Sequence, residues 1–297
     1  MAAKAVGKPS RERQGPRGAG VPLIALAVPA FALVMLLVIV GQQPDGRLHL
    51  WVLDVGQGEA ILLRTPHGHT ALVDGGPGAT PLLNAIGRRV PFWQQNLDLV
   101  VLTNPVQDRL MGLVDLLGRY DVGQVVQTEY TATGGVQAQW LRLLDSGAVP
   151  VHHAARGERL TFAGEPDVAL EVLGPGKDGD GPMSLRLTYA AHSLLISGDT
   201  RAEAEAEMVS YKGDALRSQV LVVGHFGSKD VAAPPFLAAV RPTVAIISAG
   251  AGNRFGYPSP ETLDALSAAG ALVYRTDVNG TVEVIADAER LWVRAER

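Results

Sequence analysis

The sequence predicts an α/β (α+β) fold in which two β-sheets pack face to face and helices cover their outer faces, in four αββα layers. Short β-type segments occur in two clusters, and each cluster is followed by a helical segment. The segment Leu97–Thr103 is almost continuously apolar, which is typical of a strand buried on both faces. Polar or glycine-rich loops follow several strands, and such loops usually converge at one edge of a sheet.

The first half of the chain alternates strands with tight turns. Strands are predicted at His49–Asp54, Ala60–Thr65, Thr70–Asp74, Leu97–Thr103 and Gln124–Thr128, and helices at Leu82–Ile86 and Leu110–Leu117. The glycines Gly56 and Gly58 between the first two strands favour a hairpin turn. A dinucleotide-binding loop is excluded, because Ile61 stands where its third glycine would be and a strand follows instead of a helix.

The second half contains the remaining strands and two helices. Strands are predicted at Arg159–Phe162, Val168–Leu173, Leu185–Tyr189, Ser193–Ser197, Gln219–Val223, Thr243–Ser248, Ala271–Arg275 and Thr281–Ile285. One helix is predicted at Glu203–Val209. Another begins after Ser259, where an N-cap residue precedes proline and an acidic residue, and runs to about Ala269.

The composition excludes several classes of protein. Hydrophobic residues make up 47% of the 297 residues and charged residues 19%, which excludes a disordered or collagen-like chain. Cysteine is absent, so disulfides and thiolate chemistry are excluded, and any metal must be held by His, Asp or Glu. The formal net charge is −4, but residues 1–20 carry a net +4. The acidic remainder is a poor non-specific binder of nucleic acid, which leaves open a local basic groove.

The N-terminal region predicts a membrane anchor. Residues 1–20 form a basic tail, residues 21–41 the transmembrane anchor, residues 42–47 a polar linker, and residues 48–297 the folded domain. The segment from Val21 to Val40 lacks charge and would form roughly 30 Å of helix, about the thickness of the hydrocarbon layer. A cleaved signal peptide is disfavoured, because the apolar run is too long and no Ala-x-Ala site precedes Gln42. The basic tail predicts a single-pass protein in the cell membrane, with the N-terminus inside and the domain on the outer face.

Four chemically useful side chains follow predicted strands. They are Asp74, Asp108, Asp199 and His225. Each has an ordinary alternative as a turn or capping residue, but their common position at strand ends predicts one shared pocket. The other histidines are interpreted as surface or turn residues; they are His49, His67, His69, His152, His153 and His192.

Seven ordered motifs resemble the metallo-β-lactamase-like domain of the ComEC family, the competence DNA-uptake channel proteins. The motifs are Leu53-Asp54-Val55-Gly56-Gln57-Gly58-Glu59-Ala60, Val73-Asp74-Gly75-Gly76-Pro77, Leu102-Thr103-x-Pro105-x-x-Asp108, Ser197-Gly198-Asp199, Val223-Gly224-His225-x-Gly227-Ser228, Asn253-Arg254-Phe255-Gly256 and Tyr274-Arg275-Thr276-Asp277-x-x-Gly280. The resemblance implies an αββα sandwich. It also implies a metal-dependent phosphodiesterase or nuclease that degrades the DNA strand that is not imported.

The sequence departs from this family at the metal site. The family motif reads Thr-His-Pro-His-Ala-Asp-His, and Asn104, Val106 and Arg109 stand here in place of its three histidines. One histidine of the family's Gly-His-His-Gly-Ser is replaced by Phe226, and Tyr257-Pro258-Ser259-Pro260 replaces a His-Pro-His-Pro segment. The resemblance leaves a short set of candidate groups. The candidate metal ligands are Asp108, Asp199 and His225, of which Asp108 and Asp199 are also the candidate catalytic residues, and Asp74, Asn104 and Arg109 lie behind or beside them.

Two functions are therefore open. One is a catalytically degenerate member with a binding or accessory role in DNA uptake, and the other is a residual metal-dependent hydrolase acting on DNA. The expected cofactor is either none or one weakly bound divalent Zn or Mn ion, without a two-metal site and without a small-molecule cofactor. The expected partners are the membrane and either a membrane channel protein or DNA. Arg109 is hypothesised to pair with Asp108, Asp199 or both; the alternative is that it points to solvent from a helix start.

Overall fold

The computed structural model describes residues 28–29, 31–35, 43–91, 93–129, 134–147, 149–174 and 181–297. The chain divides into two units, Met1–Gln43 and Pro44–Arg297. In the first unit residues 28–29 and 31–35 are helical, whereas the basic tail and the rest of the predicted anchor lie outside the described residues. Among the residues that are described, no helix has the length and apolar character needed to span a bilayer.

The first sheet combines the N-terminal strands with the C-terminal hairpin. Its strands are β1 (Leu48–Val52), β2 (Ile61–Arg64), β3 (Thr70–Val73), β4 (Asn96–Leu102), β5 (Asp121–Gln127), β6 (Val151–His153), β14 (Val282–Ala286) and β15 (Leu291–Ala295). Their order is β15-β14-β1-β2-β3-β4-β5-β6. The strands β3 to β6 run parallel, and the remaining pairs are antiparallel.

The second sheet is built from the intervening strands. They are β7 (Arg159–Phe162), β8 (Glu165–Val172), β9 (Leu185–Tyr189), β10 (His192–Ile196), β11 (Val220–Val222), β12 (Val244–Ile247) and β13 (Leu272–Arg275). Their order is β13-β12-β11-β10-β9-β8-β7, and the strands β10 to β13 are parallel. The loops after parallel strands leave a sheet at the same edge, so each sheet contributes one row of such loops.

Helices cover the outer face of each sheet. They are α1 (Ala79–Gly87), α2 (Gln107–Leu116), α3 (Gly135–Asp145), α4 (Ala202–Lys212), α5 (Pro234–Val240), α6 (Pro260–Ala268) and the single turn α7 (Thr276–Asn279). The first three pack on the first sheet, and α4, α5 and α6 pack on the second. Short 3₁₀ turns occupy Gly213–Leu216 and His225–Gly227.

Three apolar cores separate the four layers. On β2, Leu63 lies in the core between the two sheets, whereas its neighbour Leu62 packs with the helices on the outer face. On β10, Leu194 and Leu195 divide in the same way between the central core and the core under α4 to α6. Successive side chains of a strand point to opposite faces, which is why strands buried on both sides are apolar throughout. The predicted αββα sandwich is confirmed.

Several elements were not predicted from the sequence. The helices α3 and α5 and the strands β6 and β15 are additional, and His192 lies buried in β10 rather than in a turn. The starts of these two helices lack a capping side chain, because α3 begins at the second of two glycines and α5 is a short segment that begins with two prolines. The predicted N-cap at Ser259 is confirmed, since its side chain accepts a hydrogen bond from the Thr262 N–H.

Candidate active site

The candidate site lies where loops from both sheets meet. Asp74 directly follows β3, and Asn104 lies just beyond β4 in the first sheet. Asp199 follows β10 and His225 follows β11 in the second sheet. The Asn104 amide Nδ2 donates a hydrogen bond of 2.6 Å to Asp199 Oδ2, which ties the two rows of loops together.

A buried ionic cluster, formed by Glu59, Asp74 and Arg109, fills the base of the site. Its three side chains are at most 3% exposed. The Arg109 Nη1 donates to Glu59 Oε2, and to Asp74 Oδ2 at 2.8 Å. The Arg109 Nη2 lies 3.6 Å from Asp199 Oδ1, and its guanidinium carbon lies 5.3 Å from the centre of the Phe226 ring. A guanidinium therefore faces carboxylates from three separate loops.

Asp74 is held in place by its neighbours in the next loop. Its Oδ1 accepts from the Thr103 N–H at 2.8 Å, and its Oδ2 accepts from the Thr103 hydroxyl at 2.5 Å. The backbone of Asp74 has φ of 60°, a left-handed conformation that is uncommon for a residue other than glycine. Its N–H nevertheless donates to the Val101 carbonyl at 2.8 Å, so the chain turns sharply while keeping the backbone hydrogen bond to β4.

The start of α2 packs directly on the loops that follow β1 and β3. The Glu59 N–H donates to the Asp108 carbonyl at 3.2 Å, and the Gly75 N–H donates to the Arg109 carbonyl at 2.6 Å. A Cβ on Gly58 would lie 2.5 Å from the Asp108 carbonyl oxygen, and one on Gly112 would lie 1.9 Å from that of Gly75. Glycine at these two positions permits the close approach that brings Arg109 under the loops.

The solvent side of the site is formed by Asp108, Asp199 and His225, which are partly exposed. The Nε2 of His225 lies 3.8 Å from Asp199 Oδ1 and 3.4 Å from Arg201 Nη2, and its Nδ1 is 2.9 Å from the Ser228 hydroxyl. Within the part of the chain that the structure describes, the buried atoms Asp108 Oδ1 and Asn104 Oδ1 have no hydrogen-bond partner.

Burial and charge raise the pKa values of the buried carboxyl groups and of Arg109, and lower that of His225. Burial raises the pKa of Glu59 to about 7, and the charges of Asp74 and Asp199 add to this while Arg109 opposes it. Burial also raises the pKa values of Asp74 and Asp108. Burial would lower the pKa of Arg109, but the surrounding carboxylates outweigh it and raise that pKa, so the guanidinium stays charged. Burial lowers the pKa of His225, with Arg201 and Arg109 contributing.

The structure joins most of the predicted site residues through one contact network. Asp74, Asn104, Arg109, Asp199 and His225 are linked by the contacts described above. Asp108 lies close enough to Asp199 and Asp74 for their charges to raise its pKa. The alternative in which Arg109 points to solvent is wrong, because its side chain is fully buried.

Glu59 belongs to the site but was not predicted. Its signal in the sequence was weak, a single acidic residue directly before the apolar segment that starts at Ala60. The structure shows that Glu59 is buried, and a buried glutamate is almost always paired. Its partner is Arg109.

The comparison with protein families agrees with this fold. The model of the Metallo-beta-lactamase superfamily matches residues 53–251. The chain belongs to the metallo-β-lactamase superfamily. The match begins at the end of β1 and ends after β12, so it includes every strand end that contributes to the site.

Within this superfamily, the chain is similar to competence proteins. ComE operon protein 3 of Bacillus subtilis (strain 168) is 27% identical over 253 residues, which cover 78% of this chain and 32% of the relative. Competence protein ComA of Neisseria gonorrhoeae is 30% identical over 251 residues, which cover 81% of this chain and 32% of the relative. The chain spans about a third of the length of these relatives. The predicted resemblance to the ComEC family is confirmed.

Two solved structures share the fold. The metallo-β-lactamase fold protein YhfI from Bacillus subtilis has a TM-score of 0.53 and 12% identity, and the match covers 82% of this chain and 99% of YhfI. CmlA, a diiron β-hydroxylase from Streptomyces venezuelae, has a TM-score of 0.50 and 15% identity, covering 82% of this chain and 54% of CmlA. At these identities the likeness concerns the fold alone.

The superfamily fold implies a metal centre, and the side chains of this metallo-β-lactamase-fold protein do not fit a pair of divalent ions. Within the described ranges, no group of three or more His, Cys, Asp or Glu side chains is arranged to hold a metal. The buried guanidinium of Arg109 lies 2.8 Å from Asp74 and 3.6 Å from Asp199. A cation placed between those carboxylates would meet a fixed positive charge.

Proposed function

We propose that this chain is a membrane-anchored, ComEC-type protein of the metallo-β-lactamase fold that binds rather than cleaves, as an accessory component of DNA uptake. Its metal site is degenerate in this proposal, meaning that it lacks a full ligand set. The observation that supports this is the position of Arg109 among the carboxylates of Glu59, Asp74 and Asp199. The guanidinium supplies the positive charge that those carboxylates need.

The repulsion between Arg109 and a bound metal ion would be large. Two unit charges 4 Å apart at an effective dielectric of about 20 repel by roughly 4 kcal/mol, and a divalent ion would face about twice that repulsion from Arg109. The substitutions at positions 104 and 106 offer little to offset it. An Asn amide oxygen is a weak ligand, and Val106 offers no donor atom.

A residual hydrolase is the second candidate, and one observation favours it. Among the described residues, the buried atoms Asp108 Oδ1 and Asn104 Oδ1 have no hydrogen-bond partner, and both Asn104 and His225 lie beside Asp199. These four side chains offer oxygen and nitrogen ligands on the solvent side of Arg109. In this second candidate they would have to move closer together to hold a single Zn or Mn ion, because the described residues form no metal-binding group of three in their present arrangement.

Metal content and nuclease activity of the full chain in detergent distinguish the two candidates. We expect less than one equivalent of Zn or Mn by elemental analysis. We also expect no cleavage of single- or double-stranded DNA when either ion is added. Stoichiometric metal, together with DNA cleavage that is abolished by Asp199→Ala, would establish the hydrolase instead.

Restoring the three histidines of the family motif tests whether their replacement explains the weak metal binding that we propose. The triple variant Asn104→His, Val106→His, Arg109→His should take up more metal than the unmodified chain, because three imidazole ligands replace a repelling cation. The matched control carries alanine at the same three positions and removes the repulsion without adding ligands. Equal metal uptake by the two triple variants would contradict the explanation.

The proposed membrane topology is tested separately. We propose that residues 21–41 anchor the chain with its N-terminus inside and the domain on the outer face of the cell membrane. The uncharged segment and the basic residues before it support this orientation. Protease added to intact cells should remove the domain, and full protection of the domain would refute the topology.

A further inference from the structure

An aromatic ladder, formed by Phe226, Tyr257 and Phe255, leads from the site to the surface. The centre of the Tyr257 ring lies 6.4 Å from that of Phe226 and 5.6 Å from that of Phe255, with interplanar angles of 23° and 15°. His225 flanks the inner end, 5.8 Å from Tyr257. Phe226 is buried, Tyr257 is half-buried, and Phe255 at the outer end is 53% exposed.

Arginines lie at both ends of this row of rings. The guanidinium carbon of Arg254 is 5.0 Å from the centre of the Phe255 ring, and Arg201 Nη2 is 3.4 Å from His225 Nε2. Both side chains are exposed. Across the described part of the chain, neither guanidinium forms a salt bridge with a carboxylate. Their charges remain available to an anionic ligand.

The outer part of the ladder is held in shape by its own loop. Asn253 Oδ1 accepts from the N–H groups of Phe255 and Tyr257, at 3.2 and 3.0 Å. Its Nδ2 donates to the carbonyls of Tyr257 and Gly250, at 2.6 and 3.0 Å. The rings are therefore presented by an ordered loop, which lowers the entropic cost of binding to them.

A second exposed aromatic side chain shows how this arrangement differs from an ordinary surface contact. Tyr211 also lies against two cations, Arg156 at 4.7 Å and Lys212 at 4.6 Å. Those cations are paired with Glu207 and Glu171, at 2.6 and 2.5 Å. The cations around Tyr211 already have carboxylate partners, whereas those flanking the ladder do not.

We infer that the outer end of the aromatic ladder, the exposed ring of Phe255 supported by Tyr257, is a stacking platform for an unpaired base of a DNA strand, with Arg254 and Arg201 binding its phosphates. The inference rests on the proposed role in DNA uptake and assigns the strand-binding residues of that site. Aromatic rings in line with guanidinium groups match the alternation of flat bases and charged phosphates in a single strand. Duplex DNA does not offer base faces to a ring, and a purely apolar ligand would leave both guanidiniums without a partner.

Binding is measured with the full chain in detergent, by fluorescence anisotropy of a labelled oligothymidylate of about 16 nucleotides. The comparison ligands are an abasic strand of the same length and a duplex. We expect Phe255→Leu to weaken oligothymidylate binding by about 5- to 150-fold, which corresponds to the loss of one stacked base, and to leave binding of the abasic strand unchanged. Phe255→Trp should retain the affinity, and the matched control Tyr211→Leu should not alter it.

Several results would overturn the inference. They are equal affinities for oligothymidylate and the abasic strand, preference for the duplex, an unaltered affinity in Phe255→Leu, or an equal loss in Tyr211→Leu. Failure of the proposed function has a different signature, namely stoichiometric metal and nuclease activity. That result would leave the comparison of base-containing and abasic strands unaffected.

Discussion

Removing the charge of Arg109 should destabilise the fold more strongly than removing any exposed charge. In Arg109→Met the carboxylates of Glu59 and Asp74 lose the cation between them while remaining buried. Breaking a buried ion pair by deleting one partner typically costs about 3–5 kcal/mol, because an uncompensated charge stays inside the protein. For a domain of this size, about 2–4 °C of melting temperature per kcal/mol gives a fall of about 6–20 °C.

The assay is thermal unfolding of the full chain in detergent, followed by near-ultraviolet circular dichroism. The matched control is Arg241→Met, because Arg241 forms an exposed pair with Asp214 at 3.4 Å. An exposed pair of this kind contributes at most about 1 kcal/mol, so the control should unfold close to the unmodified protein.

A second substitution separates charge from packing. In Arg109→Met, the carboxylates of Glu59 and Asp74 are left without a cation. Adding Glu59→Gln removes one of these two charges, so the double variant should recover part of the stability lost in Arg109→Met alone. If Arg109 acted only by filling space, the second substitution would give no recovery. A melting temperature for Arg109→Met equal to that of Arg241→Met would refute the electrostatic account altogether.

Three further predictions concern the site and its supports. The pKa of Glu59 in the folded protein, about 7, lies above its ordinary value of 4.5, so the folded state binds this proton more tightly. The free energy of unfolding should therefore fall between about pH 4.5 and 7 by up to about 3 kcal/mol from this group, and urea titrations of Glu59→Gln should show a shallower decline. Ser259→Ala should lower the free energy of unfolding by about 1 kcal/mol in the same assay, because the Thr262 N–H loses its cap. Gly112→Ala should lower the melting temperature through a collision with the loop after β3, whereas Gly118→Ala, with its nearest atom at 3.5 Å, should not.

The layered fold was predictable because burial on two faces leaves a strong sequence signal. The strands at Arg159–Phe162 and Leu185–Tyr189 have the predicted bounds, and the apolar segment around Leu97–Thr103 forms the buried strand β4. The helix α3 was missed although its core-facing residues Val136, Trp140, Leu143 and Leu144 recur at helical spacing. Its start at Gly134 and Gly135 has no capping side chain to mark where a helix begins.

The strand ends that carry the candidate site were predictable, but the ion pairs between its side chains were not. Asp74, Asp199 and His225 lie at the loops where the motifs placed them, since a strand end fixes the position of the next residue. The main partners of Arg109 were not predicted. Neighbouring residues on a helix point about 100° apart, so Asp108 faces the solvent side while Arg109 reaches inward to Glu59 and Asp74. Which residue lies on that inner side depends on how α2 packs against the loops at Gly58 and Gly75. A single sequence does not show this packing.

The chemistry of a guanidinium connects the buried ionic cluster with the proposed binding role. Hydrolytic metal sites need an open coordination position, where the ion lowers the pKa of a bound water molecule. A guanidinium has only hydrogen-bond donors and holds no water molecule as a nucleophile, and Arg109 is directed into the protein towards Glu59 and Asp74. It can balance the charge of buried carboxylates permanently, but it cannot lower the pKa of a bound water molecule as a metal ion does. Next to this inner charge, the surface carries the aromatic ladder and Arg254, which in the proposed role bind a DNA strand without reacting with it. The arginine at position 109 thus supports the proposal that the chain binds rather than cleaves.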